Sequence, residues 1–356
     1  MNLSKNTLEL MKEFTQTIGV SGNEVEICKA LQKHYKKYAD EIIFDNLGSV
    51  FAVKRCGKSN APKVLISGHM DEIGFVVKEI SKGGLIKILP LGAICKQGLI
   101  GQRVKISSGK DEKINGYILS TLKEEPKVPE IKDMAVDIGA TSREEVAQLG
   151  IKPGDSVVVA GEFQVLANDR RLLSKGWNNG YGCVMGIEVL ESLKDEKLDF
   201  DLYVGCTVQH EVGLRGAQTS TNLIAPDLGI VLDCLSANDA TADSEAVGKL
   251  GHGVLINYYD KSMMPNRALL GHLTNLCKEK EIKHQPYFSM GDGDGGWIHK
   301  LLKGCPTLNI CICGRNLQSN SGVIDVEDYI ASRKAIIEVI KSLNVEKIEG
   351  FKAENR

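Results

Sequence analysis

The sequence predicts an α/β fold: a mostly parallel central sheet flanked by helices, interrupted by a small inserted β-barrel. Three observations predict it. Toward both ends of the chain, short apolar runs alternate with segments of helical periodicity, the pattern of a mostly parallel sheet. Between residues 74 and 161 the texture changes to closely spaced β-branched runs separated by Gly, Lys and Asp turns, as in a small antiparallel barrel. Several apolar runs of the α/β part end in polar residues able to bind metal, and ligands of open α/β sheets sit at the carboxyl ends of strands. A chain of 356 residues is about right for two domains.

Taken in order, Leu10, Met11 and Phe14 lie at helical spacing and mark a first helix. Ser21-Gly22-Asn23-Glu24 reads as a capping box, followed by Val25, Cys28, Leu31 and Tyr35 at steps of three and four. Val64-Leu65-Ile66 is short and wholly apolar, as in a strand covered on both faces, and runs into Ser67-Gly68-His69-Met70-Asp71. Strands of the insert are expected at 74–80, 85–89, 103–106, 114–119 and 156–160. One helix among them starts at Ser142, with Glu145 three residues on. After Asn168 the alternation of helix and strand returns. A helix is expected at 182–194, and strands at 201–208, 229–232 and 307–312. Asp325 caps a final helix carrying Ile330, Ile337, Ile340 and Leu343, and the charged tail beyond it is expected to fray. The domain boundaries that follow are 1–72 with 166–356 for the discontinuous α/β domain and 73–165 for the insert.

Composition narrows the function. Forty-four Lys and Arg against 46 Asp and Glu leave a net charge of −2, so no basic field points to nucleic acid or to an anionic membrane surface. No apolar run approaches the roughly 20 residues of a membrane helix. Met-Asn-Leu-Ser-Lys leads into a polar segment rather than an apolar signal core, which points to the cytoplasm. In that compartment the ten cysteines, mostly inside apolar runs, read as reduced and buried thiols. Cys311 and Cys313 share a strand face, so a thiol site is one reading there, with packing the simpler one.

The polar strand ends are His69 and Asp71; Gln209, His210 and Glu211; Asp233; and, after the last strand, Arg315 and Gln318. Each alone is a weak signal, but four such ends in one chain point to a shared site. Imidazole with carboxylates suits zinc, manganese or cobalt. Asp71, two residues past His69, is placed to bond the imidazole N–H and fix its tautomer.

The string Gly68-His69-Met70-Asp71-Glu72-Ile73-Gly74-Phe75 resembles the tetrahedral (TET) aminopeptidase family of metallopeptidases, which includes glutamyl and deblocking aminopeptidases and endoglucanase-labelled relatives. Similar strings extend over nearly the whole chain: Gly19-Val20-Ser21-Gly22, Asp45-Asn46-Leu47-Gly48, Asp137-Ile138-Gly139-Ala140, Glu211 through Ala217, Ile282-Lys283-His284-Gln285 and Gly293-Asp294. The resemblance implies a zinc-peptidase-like fold and a two-metal site that removes N-terminal residues from short peptides. It also implies dimers joined into a dodecamer, with the insert aiding contacts. Mapped by motif, His69, Glu211 and Asp233 stand at ligand positions. Asn178 takes the place of the bridging aspartate, His210 that of the general-base glutamate, and Gln318 that of the last histidine ligand. Asp294 matches an aspartate of the substrate region, and Arg315 is a candidate for holding a carboxylate.

These replacements have a chemical consequence. A bridging carboxylate offsets repulsion between cations about 3.5–4 Å apart, whereas an asparagine or glutamine amide is neutral with one good oxygen acceptor. One divalent metal or none, rather than two, is therefore expected. His210 is open to three readings: general base, ligand, or neither. The functional expectation is a metallo-aminopeptidase of weak or altered activity, with Asp71 and His210 as the catalytic candidates. The alternative is a catalytically silent homologue that binds peptides or assembles with an active relative. Glycoside hydrolysis is a distant third, since it needs two facing acid groups and favours aromatics, which are only 5% here.

Overall fold

The computed structural model describes residues 3–108, 113–122, 128–166, 169–241 and 245–354; Asn168, the turning point named above, lies outside them. The main sheet runs in the order Glu41–Phe44, Val50–Lys54, Asp201–Thr207, Lys63–His69, Leu228–Val231, Thr307–Arg315, Gly322–Asp325, Arg171–Ser174 and Gln164–Val165. The four strands from Asp201–Thr207 to Thr307–Arg315 are parallel, and the flanking pairs are antiparallel. The parallel strands are the most apolar because both their faces are covered. Val64 and Ile66 pack into the large core with the helices Lys5–Gln16, Trp177–Ser192 and Val326–Ser342. Leu65, between them, turns to the opposite face beside Tyr203, Ile224 and Ile298.

The insert is a closed barrel in the order Gly74–Ile80, Ile86–Leu91, Met134–Asp137, Lys113–Ser120, Arg103–Ser107 and Ser156–Val159. Its interior is filled by Phe75, Ile86, Val104, Ile106, Val136 and Val157. Closure leaves no free strand edge. Met134–Asp137 is a barrel strand that the sequence pattern leaves unassigned.

Several expectations need correction. The segment after Leu343 does not fray: Asn344 caps a further helix, Val345–Ala353, whose Ile348 and Phe351 are buried in the main core. Asp325 does cap the helix Val326–Ser342, accepting from Glu327 N, but that helix is not the last. The capping box at Ser21–Glu24 does not form. Glu24 itself is the N-cap residue of Val25–Tyr35 and no side chain caps that end. Ser21 and Glu24 are committed elsewhere, as described below. The capping box at Ser142 does place its serine as read, with Ser142 Oγ accepting from Glu145 N. All ten cysteines are free, and Cys311 and Cys313 pack with Leu255 and Tyr287. No helix among the described residues is long and apolar enough to cross a membrane.

Candidate functional site

Parallel register brings the strand ends together. Thr207 lies opposite His69, and Val231 opposite Ser67, so the residues that follow these strands emerge on one edge of the sheet. There His69, His210 and Asp233 offer ligand atoms that all lie within 4.8 Å of one another. The two imidazoles are stacked, with ring centroids 3.8 Å apart and planes 8° from parallel.

Asp71 organises the loops that carry this group. One carboxylate oxygen accepts from His210 N at 3.0 Å, the other from Glu211 N at 3.0 Å and from the Ser21 hydroxyl at 2.6 Å. The same carboxylate lies 3.4 Å from His69 Nδ1, which also donates to the Asp71 carbonyl at 3.0 Å. Glu24 holds the neighbouring turn by accepting from Gln209 N, where the backbone is left-handed at φ 54°. The residues read as a helix cap thus tie the two strand-end loops together. Their side-chain oxygens serve this long-range role with the same acceptor chemistry that a cap would use.

On its other side, His69 Nε2 donates to the Asn178 amide oxygen at 2.7 Å, with Asp233 at 3.9 Å. Asn178 reaches this position because it leaves helical geometry (φ −95°, ψ 98°) just inside the helix Trp177–Ser192. Both ring nitrogens of His69 therefore face oxygen acceptors. Burial disfavours its charge, but Asp71, Asp233 and Glu211 outweigh this and push its pKa up to about 10. Burial likewise works against the Asp71 anion, yet His69 holds that carboxyl well below the usual carboxylate range. His210 donates through Nδ1 to Asp294 at 2.8 Å, and Asp294 accepts from Thr207 at 2.6 Å. Burial and the nearby His69 lower the His210 pKa, Asp294 raises it, and the net shift is upward. Burial raises the pKa of Asp233 and of Glu211, only partly offset by the two histidines.

The donor set is of a kind that suits a divalent cation. Each histidine has its Nδ1 anchored on an oxygen, which leaves Nε2 as the ligand atom, and Asp233 supplies a carboxylate. Two imidazoles and a carboxylate with a position left over is a three-ligand zinc arrangement. Lone pairs lie in the ring planes, so stacked rings must tilt apart before both can point at one ion. Asn178 would have to release Nε2, where the proton now competes with metal. Glu211 is not in the three-residue group; its carboxylate abuts Gly92 of the barrel, where an added Cβ would come within 2.6 Å of Oε2.

The remaining sequence candidates are placed differently. Arg315 is paired bidentately with Asp239 at 2.6 and 2.9 Å, so its charge is already matched within the chain. Gln318 is exposed on the loop after Thr307–Arg315, where its backbone carbonyl accepts from Cys95 N of the insert. Sequence reasoning missed Thr207 and Asp239, which are distant in the chain from the residues they hold, and the contact of Gly92 with Glu211.

A family model described as M42 glutamyl aminopeptidase matches residues 48–334. The chain belongs to this family. It is 31% identical over 349 residues to the glutamyl aminopeptidase of Lactococcus lactis subsp. cremoris, covering 96% of this chain and 98% of that protein. The crystal structure of a TET aminopeptidase from a marine sediment thaumarchaeote superposes with a TM-score of 0.93 at 36% identity, covering 98% of this chain and 100% of that one. A TET peptidase of Pyrococcus horikoshii, which can assemble into a tetrahedron or a large octahedral shell, matches at TM-score 0.86 and 27% identity over 95% of this chain and 100% of that one. The resemblance carried by the sequence strings is thus the chain's family. In this M42 chain the histidine at the base position, His210, lies with His69 and Asp233 in the candidate ligand group, one of the three readings open to it from the sequence.

Proposed function

We propose that this M42 protein is an aminopeptidase that works with a single divalent metal held by His69, His210 and Asp233. The observation that supports it is the grouping of those three side chains with the outer nitrogens of both histidines anchored. When bound, zinc, cobalt or manganese supplies Lewis-acid polarisation and a lowered pKa for water. The chain's own residues do the rest. Asp71 sets the orientation of His69 and, through the two backbone N–H groups it accepts, the position of the His210–Glu211 segment. Asp294 fixes the tautomer of His210. Glu211 sits beside the ligand group with an upward-shifted pKa, and we assign it the proton-accepting role that a general base plays. His210 and Glu211 thereby exchange the roles that the family motif implies for their positions. Short peptides are the substrates, and assembly is homo-oligomeric with the insert contributing contacts.

A second reading, peptide binding without turnover, draws on the hydrogen bond of Asn178 to His69 Nε2, which occupies a ligand atom. One experiment separates the two. Metal per chain is measured by elemental analysis after incubation with zinc, cobalt or manganese, together with release of N-terminal residues from short peptides. The proposal expects one ion per chain, its loss in Asp233→Asn, and activity that falls about 10²–10⁴-fold in Glu211→Gln. Two ions per chain, or full activity in Glu211→Gln, overturns it; no ion under any condition leaves the second reading.

A further inference from the structure

A cleft of about 190 Å³ opens between the barrel and the α/β unit, and it adjoins the site. Glu72, the residue after Asp71, and Gly176, two before Asn178, both line it, as does Gln318. Its inner end is buried: Lys175 and Glu72 are each 6% exposed and Leu99 is 3% exposed. Gln318 and Asn316 stand at the exposed rim. Lys175 Nζ lies 2.7 Å from both carboxylate oxygens of Glu72, and among the described residues these two are the only charged ones lining the cleft. The remaining wall is apolar (Ile73, Ile94, Val159) or carries uncharged polar groups, among them the amides of Gln102 and Gln318 and the hydroxyls of Ser319 and Ser321.

This pairing has a consequence for any side chain that enters. A charged group would give up its hydration at the inner end and find no free counter-charge there. The ammonium and the carboxylate already satisfy each other, and burial without pairing is costly. A neutral side chain pays no such cost and meets apolar walls or amide partners. Resting on the aminopeptidase reading above, we propose that this cleft receives the side chain of the substrate's N-terminal residue. On this assignment the Lys175–Glu72 pair makes it select uncharged aliphatic or amide side chains over acidic and basic ones. Selection comes from rejection as much as from attraction. Removing either partner frees the other, so the preference becomes charged and its sign is set by the residue that remains.

The test is calorimetric binding of four amino-acid amides to the full-length protein: leucinamide, glutaminamide, lysinamide and the α-amide of glutamic acid. The wild type is expected to bind the first two at least tenfold more tightly than the last two. Lys175→Met leaves Glu72 unpaired and is expected to make lysinamide the tightest ligand. Glu72→Gln leaves Lys175 unpaired and is expected to favour the glutamic acid amide. Should these variants fail to fold, Gln102→Glu adds a negative charge on the cleft wall with the pair intact. Asn320 Nδ2 donates to Gln102 Oε1 at 2.9 Å, and a glutamate there can keep that bond. This variant is expected to gain lysinamide affinity at least tenfold. Binding with the order of the four amides unchanged in every folded variant overturns the selector and leaves the aminopeptidase reading standing. Absence of binding by all four amides, in wild type and variants alike, overturns both.

Discussion

Asp71 and Asp328 are both fully buried, and each accepts two backbone N–H groups from another segment. Their acidities nonetheless move in opposite directions. Asp71 has an imidazole against it and is held well below the usual range. Asp328 receives Gly251 N at 2.7 Å and Gly253 N at 2.5 Å. Burial outweighs those donors, the neighbouring Asp325 adds to it, Arg171 relieves it only in part, and the carboxyl is pushed up to about 7. At Asp328 two peptide donors do not offset burial, whereas at Asp71 a close cation does. The active end of the sheet therefore contains a fixed ion pair, whereas the Gly251–Gly253 loop is held by a group that titrates near neutrality.

The largest expected effect breaks the first half of this contrast. Asp71→Asn leaves His69 charged and buried without its partner, and should cost about 3–5 kcal/mol in urea unfolding at neutral pH. A cost under about 1 kcal/mol would mean that the ion pair does not govern this region. In the wild type, stability from Asp71 is present above the unfolded carboxyl pKa and is lost as pH falls through it toward the depressed folded value.

Asp328 has the opposite sign. Its folded pKa is raised, so its contribution is full below the unfolded value and is lost as pH rises toward about 7. The gap in stability between wild type and Asp328→Asn should therefore shrink over that interval, by on the order of 4 kcal/mol. Thermal unfolding of both proteins across that range checks it, and a gap that widens with pH reverses the assignment.

A smaller effect probes the seam between barrel and site. Gly92 has φ 84°, and a Cβ there would approach Glu211 Oε2 to 2.6 Å. Gly92→Ala should cost about 1–2 kcal/mol from backbone conformation and crowding, and should displace Glu211 enough to lower peptide turnover. Unchanged turnover would separate Glu211 from the chemistry. The smallest effect concerns Glu24. Glu24→Gln keeps an acceptor for Gln209 N and should stay within about 0.5 kcal/mol of wild type, whereas Glu24→Ala loses it and should cost about 1–2 kcal/mol. Equal costs in chemical denaturation would show that the carboxylate, not the acceptor, matters there.

Much of this architecture is legible in the sequence because periodicity is a local signal. The apolar run at Val64–Ile66 and the alternations at 103–106 and 114–119 report strands whose faces are decided by their own residues. Met134–Asp137 is only four residues long and Val254–Asp260 ends in polar and bulged positions, so neither announces itself. Val345–Ala353 shows just Ile348 and Phe351 as its apolar stripe within a charged segment. At the site, strand ends carrying His69, His210 and Asp233 could be read because topology gathers such ends on one edge. What could not be read is which partner each polar group takes. Arg315 finds Asp239, 76 residues away, and Ser21 finds Asp71, 50 away, and nothing local distinguishes those unions from a free guanidinium or a helix cap.

The amide of His210 and the carboxylate of Asp71 that receives it are 139 residues apart in the chain. Between them lies a barrel that closes using only residues 74–159. A ribosome adding about 5–20 residues per second needs on the order of ten seconds to make that stretch. Through nearly all of it, the apolar strand Lys63–His69 has neither of its parallel neighbours, Asp201–Thr207 and Leu228–Val231, to pair with. The barrel can be complete before the sheet that flanks it exists, and the strand bearing His69 waits meanwhile as an apolar segment with both edges unpaired, the kind of surface that chaperones cover.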